Sequence, residues 1–103
     1  MSTKDVHLTE FKKELNKKGY NPKRLILFGS RARNDHMQIS DYDFLIVSKK
    51  FETIPILKRM EQMEFLWKNK RHADFICLTP KEFTSKKKEI GIVRIAVKEG
   101  KEF

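Results

Sequence analysis

The chain has 103 residues, a length at which one modest core is expected and a second, substrate-holding domain has no room. Its apolar fraction of 39% with eight Phe suits a packed fold rather than a disordered chain, and the single Cys77 excludes both an intramolecular disulfide and a Cys-rich zinc site. Twenty-three Lys and Arg against fourteen Asp and Glu leave a formal charge of +9, which attracts phosphate-bearing or acidic partners. The opening MSTKDVHLTE has no apolar leader core, and no apolar run approaches the ~18 residues of a membrane span, so a cytoplasmic setting is expected.

In chain order, Leu8, Phe11 and Leu15 recur at helical spacing and predict a first amphipathic helix, ended at Gly19 and followed by the Asn21-Pro22 breaker. Arg24 to Phe28, RLILF, reads as a short buried strand that delivers Gly29 and Ser30 to its end. After a polar stretch from Arg31 to Ser40, DYDFLIV from Asp41 to Val47 predicts a second strand. Ile54 to Trp67 carries Leu57, Met60, Met63 or Glu64, and Trp67 at three- and four-residue steps and predicts a second helix, with Phe65 left off its core stripe. ADFICL, Ala73 to Leu78, is the third strand, stopped by Thr79-Pro80. Lys81 to Lys98 carries Phe83, Ile90, Val93 and Val97 at helical steps and predicts one more helix, with Gly91 as a weak point inside it and Gly100 at its end. The alternation predicts an α/β fold over a single domain, residues 1–103, and leaves open which strands are parallel.

The chemistry concentrates in a strand, then Gly29-Ser30, ten residues, and Asp41-Tyr42-Asp43 entering another strand. Strand side chains alternate, so Asp41 and Asp43 project from one face while Tyr42 packs on the other. Two carboxylates about 5 Å apart repel by roughly 3 kcal/mol at an effective dielectric of 20, a conflict that a divalent cation removes. Hard oxygen ligands suit Mg²⁺, which fills its remaining positions with water and substrate phosphate. Gly29 would let the backbone approach a phosphate, Ser30 would add its hydroxyl and N–H, and Arg31 and Arg33 would supply forked cations. Asp74, on the next strand, would bring a third carboxylate beside the pair, able to share a metal site or accept a proton from a nucleophile. Each element has a plainer reading when taken singly: a turn, a solvated strand start, a local pairing of Asp74 with Arg71 or His72.

Taken together, LILFGSRARNDHMQISDYDFLIV and HADFICLTP resemble the DNA polymerase β-like nucleotidyltransferase superfamily, and within it the minimal nucleotidyltransferases paired with HEPN-domain proteins. The similarity runs through VRIAVKEGKEF near the end of the chain, with Asn34 standing where many relatives have Gly. The resemblance implies the polymerase β-like fold, a small mixed sheet packed with helices, with a last short edge strand about to begin where the chain stops at Phe103. It also implies Asp41, Asp43 and Asp74 as catalytic carboxylates that hold Mg²⁺, and Gly29, Ser30, Arg31 and Arg33 as binding residues for ATP. By the same resemblance the partner would be a HEPN-domain toxin, assembled with this chain as a hetero-oligomer, and the chain its antitoxin, transferring AMP to a tyrosine hydroxyl.

The alternatives are a subunit that modifies a small molecule and a non-catalytic nucleic-acid-binding module. The basic residues are spread from Lys12 to Lys101 without a stripe, so nucleic-acid binding is not expected as the primary role, nor is any membrane association. His7, His36 and His72 lack ligand spacing and read as surface groups.

Overall fold

The structure is a computed structural model that describes residues 5–29, 42–68, 72–89 and 91–103. Helix α1, Val6–Lys17, begins where the Asp5 side chain accepts a hydrogen bond from the His7 backbone N–H at 2.9 Å, and it buries Leu8, Phe11 and Leu15. The chain turns back at Gly19, whose φ of +84° lies in the left-handed region. Strand β1 is Arg24–Phe28 and strand β2 Tyr42–Val47. A 3-10 turn, Lys49–Thr53, then leads to helix α2, Ile56–Leu66, and strand β3, Ala73–Leu78. Helices α3, Pro80–Lys86, and α4, Ile92–Glu99, precede the two-residue strand β4, Lys101–Glu102.

The strands form one mixed sheet in the order β3-β2-β1-β4. Strand β1 is antiparallel to both β2 and β4, whereas β2 and β3 are parallel, joined through α2 as a parallel pair requires. Alternation along the strands divides the core in two. Leu25, Leu27, Tyr42, Phe44, Ile46, Phe75 and Cys77 face α1 and α2, in a cluster that includes Phe11, Met63 and Trp67. Ile26, Phe28, Leu45, Val47 and Leu78 face the other way, against Phe83 of α3 and Val93 and Ala96 of α4. Burial on both faces explains why β1 and β2 read as nearly continuous apolar runs. Phe44 sits at the centre of the first cluster, 5.0 Å from Phe11 and 5.2 Å from Trp67 between ring centroids.

Two expectations are corrected. The second helix starts at Ile56, because Pro55 serves as its N-cap, and its buried face is Arg59, Met63 and Leu66. Leu57 (79% exposed) and Met60 (40%) lie outside the core, although Trp67 is buried and Phe65 is left exposed as expected. Arg59 reaches the interior because its polar atoms are matched: Nε donates to the Ile54 carbonyl at 2.8 Å, and Nη1 to Glu82 at 2.8 Å and the Cys77 carbonyl at 3.2 Å. This guanidinium holds the Glu82 carboxyl below its usual range, while burial pushes the Cys77 thiol up to about 12. The last predicted helix is two. Thr79 and Glu82 form a capping box that starts α3 at Pro80, and Gly91, at φ +154°, separates it from α4. Gly100 does close α4, and β4 pairs Lys101 and Glu102 with Leu27 and Ile26.

Candidate functional site

The sheet face covered by α3 and α4 ends in carboxylates. Asp43 and Asp74 are each the second residue of their strand, and the parallel register of β2 and β3 pairs them directly. Directly paired residues project from the same face, so the two side chains leave adjacent strands whose backbones run about 4.8 Å apart. Asp43 is half-buried and Asp74 is 62% exposed, which places the pair at the open end of that face.

Strand β1 enters the same corner from the opposite direction. Phe28 pairs with Asp43, and Gly29 follows at φ +78°. A Cβ at Gly29 would lie 2.5 Å from Asp43 Oδ2, so the turn closes against the carboxylate only because this residue has no side chain. The glycine backbone thus borders the Asp43 carboxylate directly.

Tyr42 fixes the orientation of its neighbour. Its ring is 1% exposed, packs 4.9 Å from Trp67 between centroids, and its hydroxyl donates to Asp5 Oδ2 at 2.7 Å. Asp5 therefore caps α1 with one oxygen and anchors the start of β2 with the other. Holding Tyr42 on one face turns Asp43 to the opposite one. The cap itself is legible from an Asp just before a periodic run, whereas a bond spanning 37 positions leaves no local signal.

On β3, Asp74 is 3.1 Å from His72 Nε2, both groups being largely exposed. His72, read from sequence as a surface group, is exposed and also touches a candidate carboxylate.

Of the predicted site residues, the structure brings together Gly29, Asp43 and Asp74. Ser30, Arg31, Arg33 and Asp41 lie outside the described residues. Among the described residues no group of three or more His, Cys, Asp or Glu is placed to hold a metal ion. The donor set of Asp43 and Asp74 nevertheless fits a hard divalent cation: two oxygen-bearing side chains in register, bordered by a turn where a Cβ would intrude. Among the described residues no helix is long and apolar enough to cross a membrane.

Comparison with known proteins identifies the family and the fold. Residues 8–99 match the nucleotidyltransferase domain family. A Methanocaldococcus jannaschii protein, named provisionally as a protein adenylyltransferase, is 42% identical over 59 residues, 57% of each chain. The chain thus spans little more than half the length of that curated relative. A crystal structure from Sulfolobus solfataricus, described provisionally as a nucleotidyltransferase, superposes with a TM-score of 0.66 at 26% identity, over 95% of this chain and 77% of that one. BolA1 from Arabidopsis thaliana, at TM-score 0.58 and 21% identity over 80% of this chain and 98% of its own, shares the fold alone.

Proposed function

Because this chain belongs to the nucleotidyltransferase domain family, we propose that it transfers AMP from ATP to a hydroxyl of a partner protein, with Asp43 and Asp74 as working carboxylates. The observation that carries the proposal is their direct pairing on adjacent parallel strands, against the side-chain-free turn at Gly29. The name of the Methanocaldococcus relative supports AMP as the group transferred and a protein as the acceptor. The resemblance to minimal nucleotidyltransferases points to a HEPN-domain toxin as that acceptor, modified on a tyrosine, with this chain as antitoxin.

In this reading Gly29 admits the triphosphate to the main chain, with Ser30, Arg31 and Arg33 next along the chain to bind its oxygens. Asp43 and Asp74, joined by Asp41, would hold Mg²⁺, which when bound supplies positive charge to the phosphate oxygens. The acceptor oxygen forms a bond to the α-phosphorus, the bond to the bridging oxygen breaks, and pyrophosphate leaves. Asp74, the more exposed carboxylate, takes the hydroxyl proton, and His72 at 3.1 Å steadies it.

The test is labelled ATP with Mg²⁺ and the co-purified partner, read by intact mass for added AMP. Asp74→Asn should lower turnover by orders of magnitude while ATP binding persists. Undiminished labelling would make Asp74 structural, and no labelling by wild type on any co-purified protein would favour a small-molecule acceptor.

A further inference from the structure

Helix α2 buries Met63 and Leu66 but leaves more of its apolar side chains outside the core than in it. Of the seven large apolar side chains exposed among the described residues, Ile56, Leu57, Met60 and Phe65 belong to this one helix, with Leu57 and Phe65 each 79% exposed. At 100° per residue Leu57 and Phe65 lie at least about 100° from each of the buried Arg59, Met63 and Leu66, Met60 borders that outer face, and Ile56 is exposed in the first turn, nearly in line with Met63. Apolar side chains gathered on one element, rather than scattered singly, mark an interaction surface.

Beside this face lies an open cleft of about 490 Å³, lined by the apolar Tyr20, Phe65 and Leu66 and by the lysines Lys18, Lys50 and Lys58, with Glu61 the one acidic residue among those that line it. A lining that mixes apolar rings with an excess of lysines matches a segment that is apolar on one side and acidic on the other. The same charges disfavour a second copy of this chain, since a self-complementary contact would set lysines against lysines in a protein already at +9.

We infer that the outer face of α2 and its cleft dock an acidic amphipathic helix of a partner protein, inserting apolar side chains against Leu57 and Phe65. Helix α2 packs on the sheet face opposite Asp43 and Asp74, so an occupant would leave the carboxylates open. The inference does not depend on the proposed transfer reaction.

The probe is a fluorescein-labelled synthetic helix with Leu and Phe at three- and four-residue spacing and Glu elsewhere, followed by anisotropy with the full chain. Leu57→Ser/Phe65→Ser should weaken binding at least tenfold, as should Lys18→Glu/Lys58→Glu, and raising salt should weaken it further. All four positions are exposed, so thermal melts should match wild type and separate lost docking from lost fold. Binding that is unchanged in both variants, or equally strong for a peptide with Lys in place of Glu, would overturn the assignment. So would a wild-type dimer in sedimentation that Leu57→Ser/Phe65→Ser dissolves, since that would make a second copy the occupant.

Discussion

Gly29→Ala tests whether the turn after β1 is shaped by the Asp43 carboxylate. Two costs are separable. A side chain at φ +78° costs about 1 kcal/mol in backbone strain wherever its neighbours stand. The added Cβ would also fall 2.5 Å from Asp43 Oδ2, so the carboxylate must leave its rotamer, at about another 1 kcal/mol. The substitution should therefore cost about 2 kcal/mol in wild type but only about 1 kcal/mol in an Asp43→Ala background, a coupling of about 1 kcal/mol. Urea unfolding of the four proteins in the cycle measures it, and Mg²⁺-ATP calorimetry on the same set follows the site. Equal costs in the two backgrounds would show that the close approach does not shape the turn. A neutral Gly29→Ala would refute both parts of the reasoning.

Arg59→Met should destabilise by about 3 kcal/mol in urea melts, because the Cys77 and Ile54 carbonyls and Glu82 lose their donor, and Arg59→Lys should rescue little since one ammonium cannot reproduce the fork. Glu82 has its folded pKa lowered, so its contribution is present above the unfolded value near 4.3 and disappears as pH falls through the folded value. Melts of Glu82→Gln should therefore show a shallower loss of stability on the acid side than wild type. Cys77, with its thiol pushed up to about 12, should resist alkylation at pH 8 in the native state and react at an ordinary rate in urea, whereas rapid native modification would contradict its burial.

The three main strands, the first helix and its buried Leu8, Phe11 and Leu15 were legible in the sequence, because local periodicity and turn residues specify them without reference to distant parts. Tyr42 facing away from Asp43 followed from the pleat alone. The hydrophobic period of α2 holds only in its second half: Met63 and Trp67 are buried, but Leu57 and Met60 satisfy the period equally well and lie outside the core, and the helix instead buries Arg59, whose cost is met by a carboxylate 23 positions later and a carbonyl 18 positions later. Local pattern also could not divide the C-terminal stretch, since the capping box at Thr79 is readable but the choice between a kinked helix and two helices rests on what Phe83 and Val93 pack against.

At the candidate site the residue types and spacing pointed to carboxylate and phosphate chemistry, and Gly29 was identified for its small size. Three things belonged to tertiary structure alone: the parallel register that sets Asp74 beside Asp43, the proximity of the Gly29 turn to that carboxylate, and the Asp5 bond that holds Tyr42. Each is a contact between segments far apart in the chain. A single sequence states what every segment prefers by itself, and only the packing of the two sheet faces decides which of those preferences meet.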